Sequence, residues 1–263
     1  APEDVGPLMD AGFPAAGEHP LALGDVDALP WLDRQTRITF ARAGIGDPLS
    51  LNDYRAQGGL QGLTRATAME PQAIVDAVKA SGLRGRGGAA FPTGIKWQTV
   101  LDTPAPQNYI CCNADEGDSG TFADRLLMEA DPFQLIEGMV IAGLAVNATQ
   151  GYIYLRSEYP RAREVLTTAL DLARGAGILG ENAFGSGRPF DIELRLGANA
   201  YICGEETSML DSLEGKRGLV RYKPPLPAIE GLFGKPTVVN NVLSLAATST
   251  ILASGGDAYA AYG

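Results

Sequence analysis

The hydrophobic residues in the middle of the chain fall into short continuous runs separated by longer helical patterns. Three segments have the length of strands, and they read NYICCNADE, GYIYLRSE and DIELRL. The first begins as a short apolar run and ends in a polar cluster, as a buried strand does when its carboxyl end opens into a site. The stretches between them are long enough to cross back over a sheet, which favours parallel pairing of the strands. The sequence therefore predicts an α/β fold, a Rossmann-like parallel sheet with flanking helices.

Helices are predicted from the spacing of apolar residues and from capping signals. They are one that ends at Gly82, one from Asp131 and Pro132 to about Val146, one from Pro160 to about Arg174, one that ends at Leu213 and one that starts near Asn240. Asp131 is expected to cap the second of these helices, and Asn240 is a candidate cap for the last. The proline-rich stretch GKRGLVRYKPPLPAIEGLFGKPT between the last two helices is predicted to be a loop.

The chain is predicted to have three parts. Residues 1–45 are rich in Pro, Gly, Ala and Asp and have no hydrophobic period, so an irregular, extended N-terminal arm is expected. Residues 46–235 are assigned to a ligand-binding α/β domain. Residues 236–263 are assigned to a terminal helix.

Composition narrows the possible partners. The chain has 263 residues, of which 45% are hydrophobic and 20% charged, and its net charge is -10. A nucleic-acid binder normally carries a basic stripe, so nucleic acid is not expected as a partner. The longest apolar run, MVIAGLAV, is too short to cross a bilayer, and the start APEDVGPLMD has no secretion pattern. A cytoplasmic protein without a membrane span is predicted.

The few cysteines and the single histidine argue against several common chemistries. Cys111 and Cys112 are adjacent and Cys203 is distant, which is a poor pattern for a disulfide, a metal site or an iron–sulfur site. We interpret all three as buried small hydrophobic residues. His19 lies in the N-terminal stretch, so histidine-dependent triads and histidine-ligated metals are excluded from the body of the chain. No metal site is predicted.

The stretch GLRGRGGAAFPTGIKW, residues 82–97, concentrates five glycines beside basic residues. Its letters fit the dinucleotide fingerprint GxGxx(G/A), but a predicted helix precedes it where that fingerprint requires a strand. Glycine has no Cβ, so this backbone could lie flat against a planar or anionic ligand. Arg84, Arg86 and Lys96 could supply positive charge for a phosphate. The alternative is an ordinary mobile surface loop.

Three further polar clusters favour a ligand site. They are Asn113, Asp115 and Glu116 after the first strand; Tyr201, Gly204, Glu205 and Glu206 where a helix starts; and Asn240 with Asn241 at the last helix. Ligands of open α/β sheets bind outside the carboxyl ends of the strands, so these clusters are expected to converge there. Carboxylates at a helix start and an asparagine cap also have purely structural explanations.

Four motifs carry a resemblance to a known family. They are GLRGRGGAAFPTGIKW, NADEGDSGTFADR, AYICGEETSMLDSLEG and KPPLPAIEGLFGKPTVVNN. In this order and spacing they resemble the NADH- and FMN-binding flavoprotein subunit of respiratory complex I. They also resemble its relatives, the diaphorase β subunits of NAD-dependent formate dehydrogenases and bidirectional hydrogenases. The resemblance extends from about Leu49 to the end near Gly263.

The resemblance implies a set of residues that bind FMN or NAD(H). They are Gly85, Arg86, Gly87, Gly88, Phe91, Lys96, Asn113, Asp115, Glu116, Asp118, Tyr201, Gly204, Glu205, Glu206, Asn240 and Asn241. It implies that Phe91 lies near the adenine, Asp118 near the nicotinamide and Glu206 near the adenosine ribose. A carboxylate there would accept from a ribose hydroxyl and repel the extra phosphate of NADPH, which selects NAD.

Three positions depart from the complex I pattern. Asp118 stands where a glutamate is common, and Thr99 and Leu226 stand where relatives have phenylalanine. Stacking on the adenine should therefore depend more on Phe91. Together with SLEGKRG and KPPLPA, these departures favour the formate dehydrogenase branch.

The resemblance implies an oxidoreductase subunit that transfers a hydride between NAD(H) and FMN without a catalytic acid or base on the protein. Electrons would then pass to or from iron–sulfur partner subunits of a formate dehydrogenase. A [4Fe–4S] cluster is expected in domains outside this chain or in those partners, so we expect the chain to be part of a longer polypeptide. The alternatives are a complex I or bidirectional-hydrogenase subunit, or a flavin-free scaffold that only docks electron-transfer subunits.

Overall fold

The computed structural model describes residues 1–13, 19–22, 24–25 and 28–262. The chain divides into two compact units, Ala1–Ile38 and Thr39–Gly263. The described part of the first unit contains two short helices, α1 (Val5–Asp10) and α2 (Pro30–Asp33), within the stretch that composition predicted to be extended. Neither helix buries a residue, and Pro30 occupies a position where proline favours helix initiation. Of the predicted arm, residues 14–18, 23 and 26–27 lie outside the described residues.

The second unit is built on a four-stranded parallel sheet. The strands are β1 (Tyr109–Ala114), β2 (Gln150–Leu155), β3 (Asp191–Leu196) and β4 (Thr237–Asn241), in the order β3-β2-β1-β4. β1 lies in the middle, where Cys111 is in register with Tyr152 of β2 and Val239 of β4. The predicted parallel α/β sheet is confirmed, including its first three strands.

The prediction that a loop leads directly into a helix near Asn240 is wrong. The residues Thr237–Asn241 form β4, and the helix begins at Val242. The β-branched run Thr237, Val238 and Val239 favours a strand, but five residues after a proline-rich loop give a weak local signal. Pairing with β1 decides the conformation, because β4 extends a sheet that is already present.

Helices precede, connect and follow the strands. In the described part of the second unit they are α3 (Leu51–Ala56), α4 (Gln61–Thr67), α5 (Pro71–Ala80), α6 (Thr93–Asp102), α7 (Ala123–Ala130), α8 (Pro132–Val146), α9 (Pro160–Gly175), α10 (Glu206–Leu213), α11 (Val242–Ser254) and α12 (Gly256–Ala260). α5, α8, α9, α10 and α11 confirm the sequence predictions, although α11 begins at Val242 rather than at Asn240. α3, α4, α6, α7 and α12 were not predicted.

The core is centred on α8, which is buried along its whole length. A Cβ atom on Gly138 would overlap the carbonyl oxygen of Leu245 in α11, and one on Gly62 of α4 would overlap that of Ser249. Backbones therefore pack directly against one another where α4, α8 and α11 meet. This burial explains the run MVIAGLAV. No helix within the described residues combines the length and the apolar character that crossing a bilayer requires.

Asp131 lies at the N-cap position of α8, as predicted, but its side chain does not cap the helix. It accepts a hydrogen bond from Arg42 Nε at 2.8 Å instead. Burial raises the pKa of Asp131 to about 6, and the Arg42 charge opposes that rise. A nearby guanidinium is a stronger partner for a buried carboxylate than a backbone N–H, which accounts for the difference.

Candidate functional site

A cavity of about 870 Å³ lies at the carboxyl edge of the sheet. Its size is toward the upper end of the range for small-molecule pockets. All sixteen residues named from the sequence line it: Gly85, Arg86, Gly87, Gly88, Phe91, Lys96, Asn113, Asp115, Glu116, Asp118, Tyr201, Gly204, Glu205, Glu206, Asn240 and Asn241. The fold thus brings four segments that are distant in sequence to one cavity.

The glycine loop, residues 81–92, connects α5 to α6 as a narrow hairpin. Gly85 N donates to Phe91 O at 2.9 Å, and Thr93 N donates to Leu83 O at 2.9 Å. Gly88 has a φ of 106°, which residues with a side chain rarely adopt. The loop between these pairs is exposed on the cavity wall, so its backbone is available to a ligand.

The loop is held against the start of α11. The backbone N–H of Arg86 donates to Ser244 Oγ at 2.8 Å. A Cβ atom on Gly87 would lie 3.2 Å from Cβ of Asn241, which is closer than ordinary packing. A side chain at position 87 would therefore press on Asn241, and one of the two would have to shift by a few tenths of an ångström.

The two asparagines have different roles from those expected. Asn240 belongs to β4, is buried, and accepts from Trp97 Nε1 at 2.9 Å. Asn241 is the N-cap of α11, where its Oδ1 accepts from the N–H of Leu243 at 2.9 Å. The candidate capping role of Asn240 is wrong, because β4 extends through Asn241 and it is Asn241 that takes the N-cap position.

The end of β1 contributes an amide and an unpaired carboxylate. Asn113 Nδ2 donates to Gly204 O at 2.8 Å and so joins this strand to the segment before α10. Burial raises the pKa of Asp115 to about 6, although the charge of Arg156 opposes it. Asp115 Oδ2 is buried and has no hydrogen-bond partner among the described residues. A ligand with an N–H or O–H group would satisfy it.

Glu116 is committed to the fold. Its Oε1 accepts from Asp124 N at 3.0 Å, and its Oε2 accepts from Arg125 N at 3.2 Å and from Tyr159 Oη at 2.9 Å. The side chain thus occupies the free N–H groups at the start of α7. In this structure Glu116 positions α7 at the cavity wall.

Asp124 was not among the predicted residues, although it lines the cavity. It is 5% exposed, and burial followed by the Glu116 charge raises its pKa to about 7, against a hydrogen bond from Asn241. Asp124 lies within the motif NADEGDSGTFADR. The sequence signal that could have identified it is an acidic residue in the first turn of a helix that starts at Ala123.

Two lysines and two glutamates form a cluster at the start of α10. Glu205 caps α10, because its Oε2 accepts from the N–H groups of Thr207 at 2.8 Å and Ser208 at 2.9 Å. Burial alone would raise its pKa, but the hydrogen bonds from Thr207 and Lys223 outweigh burial and hold the pKa below its ordinary value. Lys223 Nζ donates to Glu205 Oε1 at 2.9 Å and to Glu206 Oε1 at 2.8 Å.

Lys96 completes this cluster from α6. Its Nζ donates to Val239 O at 2.8 Å and lies 3.4 Å from Glu206 Oε2. Glu206 is therefore between two lysines. Lys223 was not predicted, because it lies in a proline-rich loop that has no periodic signal.

Arg221 positions the loop that carries Lys223. Its Nη2 lies 2.6 Å from Asp211 Oδ1 and 2.9 Å from Glu214 Oε1, both on or next to α10. Its backbone N–H donates to Thr207 Oγ1 at 2.9 Å. These contacts hold the segment around Lys223 against the start of α10.

Aromatic side chains and one carboxylate lie at the cavity mouth. Tyr201 is 71% exposed, and its Oη donates to Asp118 Oδ1 at 2.7 Å, a bond that raises the pKa of Tyr201. A Cβ on Gly117 would lie 2.7 Å from the Tyr201 ring, so the ring rests directly on that backbone. Phe91 is 47% exposed and available for stacking.

The residues present fit a flavin nucleotide. Asp115 Oδ2 is an unsatisfied acceptor, the glycine loop provides backbone without Cβ atoms, and the starts of α7, α10 and α11 lie at the cavity. Arg86 and Lys96 of the cavity lining offer positive charge to a phosphate. Within the described residues, no group of three or more His, Cys, Asp or Glu side chains is arranged to hold a metal ion. Cys111, Cys112 and Cys203 are free and buried, as predicted.

Residues 78–250 match the family model of the Nuo51 FMN-binding domain. The chain is 51% identical over 230 residues to HndC of Solidesulfovibrio fructosivorans, a subunit of an NADP-reducing hydrogenase, and the match covers 88% of this chain and 47% of that protein. It is 49% identical over 234 residues to the F subunit of the NADH-quinone oxidoreductase of Aquifex aeolicus, with 88% and 55% covered. The chain thus spans about half the length of the curated relatives that it matches.

Solved structures agree with these matches. The NAD+-reducing [NiFe]-hydrogenase in the H2-reduced state gives a TM-score of 0.69 at 37% identity, over 89% of this chain and 39% of that chain. The air-oxidized state gives a TM-score of 0.68 at 38% identity, over 80% and 35%. The resemblance to complex I and hydrogenase diaphorase subunits is confirmed, whereas the formate dehydrogenase branch stays a prediction.

Proposed function

Because this chain belongs to the Nuo51 FMN-binding domain family, we propose that it is the part of a larger oxidoreductase subunit in which NAD(H) exchanges electrons with FMN. One observation carries the proposal: residues from four separate segments line a single cavity at the carboxyl edge of the sheet. The flavin-free scaffold has no such support, because a protein that only docks subunits does not need a cavity of this composition.

The protein's part in this function is to bind and orient. FMN, when bound, accepts or donates a hydride and passes electrons on singly. The glycine loop offers bare backbone to a planar ring, and Asp115 accepts a hydrogen bond from a ligand N–H group. Arg86 and Lys96 supply positive charge for a phosphate. No side chain needs to transfer a proton, so positioning by these residues is the catalytic contribution.

Nucleotide choice is proposed to depend on Glu206. The relatives do not settle this choice, since one is named for NADP and another for NADH. The Glu206 carboxylate lies at the cavity wall, where its Oε1 accepts from Lys223 Nζ at 2.8 Å. A ribose hydroxyl can donate to a carboxylate, whereas a second phosphate is repelled by it.

Glu206→Gln is expected to raise the ratio of NADPH to NADH turnover by about tenfold, because about 1.4 kcal/mol of repulsion is removed. The measurement is flavin reduction by each nucleotide in rapid-mixing kinetics. Glu193→Gln, at an exposed ion pair with Arg195, is the matched control and should leave the ratio unchanged. A Glu206→Gln protein with the wild-type ratio would remove Glu206 from this role.

We propose that the larger protein works in an NAD-dependent formate dehydrogenase with iron–sulfur partner subunits. The support comes from Asp118, Thr99 and Leu226, which all line the cavity and stand where the complex I pattern has other residues. The test is to purify the intact assembly and to measure NAD turnover linked to formate, hydrogen and quinone side by side. Formate-linked turnover is expected; turnover with hydrogen or quinone alone would favour the hydrogenase or complex I alternative.

A further inference from the structure

Asp124 is a buried carboxylate of the cavity wall that forms no ion pair among the described residues. It lies in the first turn of α7, is 5% exposed, and its Oδ2 accepts from Asn241 Nδ2 at 2.7 Å. The two lysines of the cavity form ion pairs with other carboxylates. Lys96 pairs with Glu206, and Lys223 pairs with both Glu205 and Glu206. A buried carboxylate with a single neutral partner needs an explanation.

Asp124 is one step in a chain of hydrogen bonds that crosses the cavity wall. Glu116 accepts from the backbone N–H of Asp124 and so fixes the start of α7. Asp124 then accepts from the side-chain amide of Asn241, whose oxygen caps α11 by accepting from Leu243 N. Both ends of the Asn241 amide are therefore occupied, and its orientation is fixed.

The glycine loop rests on this fixed side chain. Gly87 approaches Asn241 so closely that a Cβ would lie 3.2 Å from Cβ of Asn241. The adjacent Arg86 N–H donates to Ser244 Oγ in the first turn of α11. A change in the Asn241 orientation would consequently displace the loop that lines the cavity.

The electrostatic surroundings of Asp124 are acidic. Six carboxylates line the cavity, from Asp115, Glu116, Asp118, Asp124, Glu205 and Glu206, against three cations, from Arg86, Lys96 and Lys223. Of these, Glu116 lies close enough to Asp124 to add to the effect of burial, and together they raise the pKa of Asp124 to about 7.

The elements packed against α7 do not offset this charge. α11 has no ionisable residue, and Glu137, which is the only one on α8, is bonded to α3 and the start of α4. The thiol of Cys112 on β1 is neutral, because burial and Asp124 raise its pKa. On α9, Arg161 pairs with Glu129, and Arg125 of α7 itself pairs with the same residue.

We propose that Asp124 is a positioning residue of the FMN site: it orients Asn241 against the glycine loop, and its ionisation weakens the binding of an anionic cofactor. This inference deepens the proposed function and rests on it. An uncharged Asp124 keeps the hydrogen bond from Asn241 while it removes a negative charge from the cavity. FMN affinity should therefore be higher below the pKa of Asp124 than above it.

The test compares Asp124→Asn with Asp124→Ala in the purified, FMN-free protein, and FMN dissociation constants are measured from flavin fluorescence between pH 6.5 and pH 8.5. In the wild type the dissociation constant should rise about tenfold with pH, which corresponds to a shift of one pKa unit on binding. Asp124→Asn should lose most of this dependence, because its amide oxygen still accepts from Asn241. Asp124→Ala should bind more weakly than Asp124→Asn at every pH.

Controls separate the effect from other titrations and from unfolding. The phosphate of FMN also ionises near pH 6, but it does so equally with wild type and variants. Glu129→Gln, on the same helix and outside the cavity lining, should keep the wild-type profile. Thermal unfolding reports folding, and if Asp124→Ala does not fold, Asp124→Asn alone decides. An Asp124→Asn protein with the wild-type pH profile would overturn the inference; a wild-type protein that binds no FMN would overturn the proposed function itself.

Discussion

Glu137 and Asp115 are both carboxylates withdrawn from water, but the fold treats them in opposite ways. Glu137 of α8 is 1% exposed and accepts from Tyr54 Oη at 2.5 Å, Leu60 N at 2.8 Å and Leu63 N at 2.9 Å. Asp115 has a buried oxygen without a partner among the described residues. A carboxylate whose hydrogen bonds are complete holds the fold together, whereas an incomplete one marks the place where a ligand is expected.

The same contrast separates the two ends of the loop after α10. Around Arg221, ion pairs join Asp211, Glu214 and Lys216 in one network. At the cavity the acidic groups outnumber the basic ones. The ion pairs of Arg221 make this part of the loop rigid. The rigid loop positions Lys223 at the cavity, where carboxylates outnumber cations.

The largest expected effect is at Glu137. Glu137→Ala should lower the free energy of unfolding by about 3–5 kcal/mol, because Tyr54, Leu60 and Leu63 would keep buried donors without an acceptor. Denaturant unfolding measures this loss. Glu137→Gln, which retains one acceptor oxygen, should lose less. A loss below about 1 kcal/mol in the alanine variant would contradict the structural role assigned to Glu137.

A moderate effect is expected at Arg221. Arg221→Ala should lower the free energy of unfolding by about 1–2 kcal/mol and make residues 216–235 more sensitive to limited proteolysis, since the loop loses its contacts with Asp211 and Glu214. The matched control is Arg195→Ala, because Arg195 forms an exposed pair with Glu193. Equal proteolysis of the two variants would show that Arg221 does not fix the loop.

The smallest effect, and one of opposite sign, is expected at Asp115. Its pKa is raised to about 6 in the folded protein, so the stability associated with its protonated form is lost as pH rises through that value. Asp115→Asn should therefore stabilise the FMN-free protein above pH 6, by about 1 kcal/mol after solvent screening, and have little effect at pH 4.

Thermal unfolding at pH 4 and at pH 8 measures this difference. Asp102→Asn, at an exposed position, is the control. A destabilised Asp115→Asn protein at pH 8 would mean that Asp115 has a structural partner and would remove the contrast with Glu137.

Much of this molecule is predictable from local sequence because the relevant signals are local. The runs in β1 and β2 are mostly apolar, β3 alternates charged and apolar residues, and the helices α8 and α9 carry their own proline start signals. The signal of the glycine loop is equally local, because glycine permits the positive φ of Gly88 without steric cost. The four motifs carried the family assignment for the same reason.

Only the tertiary structure decided the remaining features, because each depends on a partner that is distant in sequence. β4 forms because β1 offers an edge, and that pairing makes Asn241 rather than Asn240 the helix cap. Asp124 and Lys223 join the cavity through side chains more than fifteen residues away, at Asn241 and Glu206. A residue's own neighbours determine its backbone preference, but the long-range packing of the chain determines which charges remain unpaired.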